Sequence, residues 1–235
     1  MVEDFSWVSD PQDDFRKYAL GLPDTEIDSI LGSIPSGWNY PPISHRRFVE
    51  WLVDDIKPEV TVELGVDYGY SSFILALCQD NPVYGIDCFD TSVHAGRIDE
   101  DYEFVLAIKD KLKIDNLEII KGYFDEVAKA WDKEIDLLHI DGLHDYDNCK
   151  NDYETWSPLV KENGVILFHD TVSNPDGAGK FFNEVNLPKI NFPNSFGLGV
   201  ASKNGDIIQK IYETFHEPPE PESTEPKTIK IDEFA

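Results

Sequence analysis

The chain has 235 residues, 41% of them apolar, and a formal net charge of −26. That length supports one well-buried α/β domain rather than two. The charge excludes broad binding to nucleic acid, whose phosphates would be repelled. No stretch approaches the roughly 20 apolar residues of a membrane helix. The acidic start, Met-Val-Glu-Asp-Phe, lacks the basic and apolar regions of a secretion signal. Cys78, Cys88 and Cys149 form no Cys-x-x-Cys pair. Reduced thiols in a cytoplasm are the simplest expectation. Neither nucleic acid nor membrane is expected as a partner, and the oligomeric state is not readable.

Residues 1–57 read as a helical lead-in to the same domain, placed to face a substrate. Asp10-Pro11 is a good helix start, and a second short helix is expected from about Thr25 to Leu31. The stretch 35–42 is a loop carrying Trp38 and Tyr40. Ser44 is expected to cap a helix in which Phe48, Val49, Leu52, Val53 and Ile56 fall at helical spacing, and Pro58 ends it.

Strands and helices then alternate over residues 58–214. Strand-like runs are Val60–Leu64, Val83–Ile86, Leu117–Ile120, Ile135–Ile140 and Val165–Phe168. Helical patterns occupy Ser71–Cys78, Asp101–Leu112, Phe124–Trp131 and His144–Val160. The fourth and fifth runs are apolar without alternation, as strands buried on both faces are. The fold class is therefore α/β: a Rossmann-like, doubly wound, mostly parallel sheet with helices on both faces. A short helix near Gly177–Val185 follows. Leu198–Ala201 and Ile207-Ile208 then flank Lys203-Asn204-Gly205-Asp206, a hairpin signal. The Pro, Glu, Ser and Thr content of residues 215–235 predicts an acidic, disordered tail.

Two places carry chemistry. The first is the turn after the first strand, where Gly65 and Gly69 let the backbone come close to a ligand. The second strand ends in Asp87, about 20 residues further on, where an acid can accept hydrogen bonds from ribose hydroxyls. A dinucleotide site would favour Gly-x-Gly-x-x-Gly. The wider Gly-x-x-x-Gly, with Glu63 before it, suits a cationic cofactor that bears an amino acid and lacks a pyrophosphate.

Glu63-Leu-Gly-x-x-x-Gly-Tyr-Ser71 resembles the first motif of class I S-adenosylmethionine-dependent methyltransferases, specifically the small-molecule O-methyltransferases, including the catechol type. The resemblance implies that Glu63, Gly65, Gly69 and Ser71 belong to the cofactor site and that Asp87 holds the ribose. It places Gly122 and Tyr123 beside the adenine. It also implies a seven-stranded sheet finished by a C-terminal antiparallel hairpin.

The second place is His139-Ile-Asp141-Gly-Leu-His144-Asp-Tyr146, which ends the fourth strand, with His169-Asp170 ending the fifth. Neighbouring strand ends bring Asp141, His144, His169 and Asp170 to one rim, a donor set suited to a divalent ion. The segment 136–170 resembles a methyltransferase family associated with sugar and polysaccharide modification. In related metal-dependent enzymes the positions of Asp141, His169 and Asp170 hold magnesium. His169 departs from that pattern, because magnesium prefers oxygen. The base of the catechol-type enzymes falls on His144, and a neutral imidazole can accept a hydroxyl proton near pH 7.

The resemblance thus implies methyl transfer from S-adenosylmethionine to a hydroxyl of a sugar or other small polar metabolite, assisted by Mg2+ or another divalent metal. Bland roles stand beside these. His139 reads as a satisfied core residue, Asp141 and Asp170 as caps, and His45 and His94 as surface residues. Trp156 reads as packing, while Trp38, Tyr40 and Tyr146 can line an acceptor pocket. A metal-dependent hydrolase or oxygenase, and a catalytically silent cofactor-binding module, remain open alternatives.

Overall fold

The computed structural model describes residues 45–90, 92–93, 101–194 and 196–215. The expected lead-in helices, the Trp38 and Tyr40 loop, His94 and the acidic tail lie outside them.

Helix α1 (His45–Ile56) buries Phe48, Val49, Leu52 and Val53, the stripe expected from their spacing. Then come β1 (Thr61–Leu64), α2 (Tyr70–Leu77), β2 (Val83–Asp87), α3 (Asp101–Lys111) and β3 (Leu117–Lys121). They are followed by α4 (Phe124–Ala130), β4 (Ile135–Ile140), α5 (Tyr146–Trp156) and a 3-10 turn over Ser157–Leu159. The chain continues with β5 (Val160–His169), α6 (Ala178–Glu184), β6 (Lys189–Phe192), β7 (Leu198–Ser202) and α7 (Gly205–Phe215).

The seven strands form one sheet in the order β3-β2-β1-β4-β5-β7-β6. The first five are parallel, whereas β7 runs antiparallel to β5 and β6 antiparallel to β7. Alternate residues of each strand feed two cores. In β5, Val165 and Leu167 join Phe48, Phe73 and Ile211, while Ile166 and Phe168 join Trp156, Phe181 and Phe182. Burial on both faces is why these strands read as continuous apolar runs. Strand order reverses between β1 and β4, so the crevice where such sheets bind ligands opens at the carboxyl ends of those two strands.

The antiparallel finish is present but made elsewhere. Asn204-Gly205 does not turn a hairpin; the Asn204 side chain accepts from the Asp206 amide at the start of α7. Ile208 and Ile211 recur at helical spacing and are buried, and that periodicity overrides the dipeptide. The hairpin is β6 with β7. The helix expected from His144 begins at Tyr146, because Asp145 caps it by accepting from the Asn148 amide. Trp156 is fully buried as packing, 5.5 Å from the ring of Trp131.

Candidate active site

The glycine loop is fixed by the two strands beside it. The Gly65 amide donates to Ile86 O at 2.9 Å, and the Asp141 amide donates to Leu64 O at 2.8 Å. Gly65 has φ +98°, and a Cβ there would lie 2.0 Å from the Asp141 carbonyl oxygen. Only glycine lets the loop leave β1 so close to the end of β4. Gly69 has φ +85° and starts α2, so the loop delivers its chain into a helix N-terminus, a favourable place for an anionic group. Ser71, in the first turn of α2, is buried.

Asp87 is almost fully buried. Its Oδ2 accepts from the amides of Val66 at 2.9 Å and Asp67 at 3.1 Å, and its Oδ1 from Phe89 at 2.8 Å. The carboxylate therefore shapes the glycine loop from below. Glu63, expected beside a cofactor, is fully buried: it accepts from the Ser72 hydroxyl and lies 2.8 Å from His139 Nδ1. It braces β1 against α2 and β4. His139 is the partnered core residue that its place inside a buried strand implied.

Gly122 donates to Asp87 O at 2.9 Å, which sets the β3 end beside the β2 end. Tyr123 is 52% exposed and donates to Asp90 Oδ2 at 2.7 Å. Hydrogen bonds from Ser92 and Tyr123 hold the Asp90 carboxyl down at about 2, and the same bond raises the Tyr123 phenol. The sequence reading missed Asp90. Its signal was a second acid three residues past Asp87, within reach of the same rim.

The expected chemical residues do meet. His169 Nδ1 lies 2.9 Å from Asp141 Oδ1 and 3.2 Å from Asp170 Oδ1. Neither ring nitrogen of His169 has the alignment of a hydrogen bond, although both are enclosed. His144 Nε2 lies 3.3 Å from Asp170 Oδ2 and 3.8 Å from Asp141 Oδ1. One donor atom each from Asp141, His144 and His169 falls within 4.8 Å of the others.

The His144 carbonyl accepts from the Ala178 amide at 2.9 Å, so α6 anchors this loop. A Cβ on Gly177 would stand 2.1 Å from that carbonyl oxygen. Asp170 has φ +60°, a conformation Asp tolerates at modest cost. Asn174 holds it there, its side chain donating to Oδ2 at 3.0 Å and its amide to the Asp170 carbonyl at 3.0 Å. Backbone strain of this kind gathers at functional sites.

The charges are coupled. Burial alone would raise Asp141, but the adjacent His169 imidazolium holds its carboxyl well below the usual range. Burial alone would lower His169, but Asp141 and then Asp170 raise it to about 9. His45, expected at the surface, is buried with its Nε2 3.0 Å from Asn194 O and its ring centroid 5.8 Å from that of His169. Burial and the nearby His169 charge push it down to about 3. Its signal in the sequence was its position one residue after the expected cap, on the end of α1 that meets the rim.

The two halves share one edge. The loop that leaves β1 touches Asp141, and Asp141 carries the acid of the chemical cluster. The arrangement can bring a nucleoside-bearing cofactor and an ionisable donor set to adjoining positions.

Residues 62–171 match the family model described as a methyltransferase domain. An uncharacterised protein of Sinorhizobium fredii is 32% identical over 181 residues, covering 72% of this chain and 20% of that protein. The chain thus spans about a fifth of the length of this curated relative. The O-methyltransferase from Bacillus cereus, solved in complex with SAH, is similar with a TM-score of 0.57 at 15% identity, covering 84% of this chain and 94% of that one. The O-methyltransferase from Streptomyces achromogenes involved in tomaymycin synthesis, solved with SAM, has a TM-score of 0.57 at 16% identity, covering 86% and 99%. At those identities the likeness speaks for the fold. Together with the matched segment, it shows that residues 62–171 are similar to a methyltransferase domain and that the chain shares the fold of those enzymes.

Proposed function

We propose that the chain transfers the methyl group of S-adenosylmethionine to a hydroxyl of a sugar or another small polar metabolite. The observation that carries the reading is the contact between the two halves of the site: Gly65 packs on Asp141, so the cofactor loop and the acid and imidazole cluster open on one crevice.

The residues fit the cofactor. Glycine at position 65 lets the turn after β1 pack backbone to backbone on the end of β4 at the rim. Asp87 holds two loop amides in place, and Gly122 and Tyr123 stand at the neighbouring strand end. Bound S-adenosylmethionine supplies a methyl group already activated by its sulfonium charge.

The chain's own task is to orient the acceptor oxygen behind that methyl group, exclude water and take a proton. Positioning of this kind contributes on the order of 7–11 kcal/mol in the best intramolecular systems. His144 is placed to take the hydroxyl proton at Nε2. Asp170 at 3.3 Å and Asp141 at 3.8 Å stabilise the imidazolium that forms. General-base catalysis by such a group is worth roughly 100- to 10,000-fold.

Asp141 and His169, 2.9 Å apart, belong to a group of donor atoms within 4.8 Å of one another that would suit a divalent ion, and Asp170 lies 3.2 Å from His169 Nδ1 beside them. Such an ion lowers the pKa of a bound hydroxyl and fixes its orientation. Among the described residues no helix is long and apolar enough to cross a membrane.

The test is incubation of the chain with S-adenosylmethionine and a panel of sugar and phenol hydroxyl compounds, read by mass spectrometry for a 14 Da gain. Cofactor binding without transfer to any member would favour a silent binding module.

A further inference from the structure

Positive φ angles at residues other than glycine gather on the rim. Asp67, Phe89, Asp170 and Phe196 all adopt them, at 50°, 47°, 60° and 72°. For a bulky side chain this backbone is a genuine outlier. Phe89 offsets it by burying its ring, 5.1 Å from that of Tyr102. Phe196 does not, being 56% exposed. Neither backbone preference nor packing accounts for a phenylalanine there, and a residue held against its local preference points to function.

We propose that Phe196, with Val172 beside it, is a wall of the acceptor site and selects a hydroxyl compound that carries a flat apolar group over a wholly polar one. The inference rests on the methyl-transfer reading above and narrows its acceptor.

Placement is the first argument. Leu198 pairs with His169, so Phe196 lies two residues before the sheet partner of that imidazole. Val172 lies two residues past Asp170 and is 45% exposed. The Phe196 carbonyl accepts from the amides of Val172 and Ser173, each at 2.9 Å, which joins the two apolar residues into one strip. Along the sheet the glycine loop follows β1, Asp141 and His144 follow β4, and His169 ends β5 before the turn into β7. The strip thus stands on the far side of the acid and imidazole cluster from the cofactor loop. Two strand spacings, about 10 Å, separate β4 from β7. An acceptor with its hydroxyl at His144 Nε2 and its body laid across β5 ends against Phe196 and Val172.

Rigidity is the second. Gly197 has φ +97°, and a Cβ there would stand 2.5 Å from both Thr171 Oγ1 and the Val172 nitrogen, so the turn lies tight against the chain leaving β5. The Gly197 amide donates to Asn194 O at 3.0 Å, and that carbonyl also lies 3.0 Å from His45 Nε2 at the start of α1. The Thr171 hydroxyl donates to Asn191 Oδ1 on β6 at 2.7 Å. Contacts from β5, β6 and α1 therefore set the turn before any acceptor arrives, and a wall ordered in advance costs less to bind against.

Side-chain chemistry is the third. Phenylalanine and valine offer a sugar hydroxyl no hydrogen bond. They offer apolar area, which a flat apolar group covers with release of water and a hydroxyl edge does not.

The experiment uses the full chain, with and without S-adenosylhomocysteine, and follows two probes by ligand-observed NMR titration: 4-nitrophenyl β-glucoside and methyl β-glucoside. The expected result is that the nitrophenyl compound binds at least about tenfold more tightly. Asparagine tolerates the left-handed region. Phe196→Asn is therefore expected to melt at the same temperature or higher, while the preference falls below about threefold. Val172→Ser is expected to reduce the preference as well, without the change in backbone strain.

Equal binding of the two glucosides, or no binding of either, overturns the inference. So does a preference that survives in folded Phe196→Asn. A Phe196→Asn chain that melts several degrees lower also overturns it, because the ring then serves the fold. S-adenosylhomocysteine binding without the glucoside preference overturns the wall and leaves the methyl-transfer reading in place. A preference that depends on Phe196 without any S-adenosylhomocysteine binding keeps the wall and overturns the cofactor reading.

Discussion

Gly65 and Asp141 are packed backbone to backbone, so close that a single methyl group on Gly65 would sit 2.0 Å from the Asp141 carbonyl oxygen. The contact ties the turn after β1 to the end of β4. Gly65→Ala forces a side chain into φ +98° and into that carbonyl. The expected outcome is loss of S-adenosylmethionine binding by calorimetry and a lower melting temperature. An alanine variant that binds with unchanged affinity would show that the crossing is not what shapes the site.

Asp87 accepts from three amides, those of Val66 and Asp67 in the loop on one oxygen and that of Phe89 on the other. Asn can present an oxygen to only one side, leaving its amide group facing a donor. Hydrogen bonds to a charged acceptor are worth about 1.5–3 kcal/mol. Asp87→Asn is therefore expected to weaken cofactor affinity by about tenfold or more, with a smaller effect on kcat at saturating cofactor. Calorimetry and steady-state kinetics separate the two.

How much of this was legible in the sequence differs residue by residue. The parallel strands were legible because burial on both faces leaves an apolar run, as in Leu137-Leu138 and Val165–Phe168. Gly65 and Asp141 stood out in the sequence as candidate site residues, but their mutual contact was not legible, since it spans β1 and β4 and depends on strand order. The closing hairpin was misplaced because Asn204-Gly205 carries a turn signal that the buried stripe of α7 overrides. β6, half-buried at the sheet edge, has too weak a pattern to be seen. Glu63 looked like a cofactor residue by its place in the motif, and only the packing of Ser72 and His139 around it shows a buried brace. His45 looked bland because nothing local connects residue 45 to residue 169.

Glu63 and His139 test that brace. Glu63→Ala removes the partner of both His139 and Ser72 in a fully buried place. Leaving buried polar groups without partners costs about 1–3 kcal/mol or more. Urea denaturation is expected to show at least that loss, with the unfolding slope unchanged. A variant as stable as the parent would contradict the assignment of Glu63 to structure.

His144→Ala tests the proton acceptor. The expected outcome is a fall in kcat of roughly 100- to 10,000-fold, with S-adenosylmethionine affinity retained. Undiminished turnover with an acceptor found in the hydroxyl panel removes His144 from that role.

Asp152 supplies a pH signature. It is buried on α5, its carboxyl near Gly142, and burial pushes it up to about 7, with Asp125 and Asp145 adding to the rise. The folded chain thus holds a proton that the unfolded chain releases near pH 4. Stability from this group is present below about pH 4 and is lost as pH rises toward about 7. Asp152→Asn is expected to remove that loss, so the variant gains on the parent between pH 4 and pH 8. Parallel stability curves for the two proteins over that range would contradict the assignment.

The central claim is that the rim between β1 and β4 binds S-adenosylmethionine. Calorimetric titration of the folded chain tests it most directly. The account predicts saturable binding at one cofactor per chain, accompanied by an upward shift in melting temperature. No heat of binding and no thermal shift for a folded chain at millimolar cofactor would contradict it.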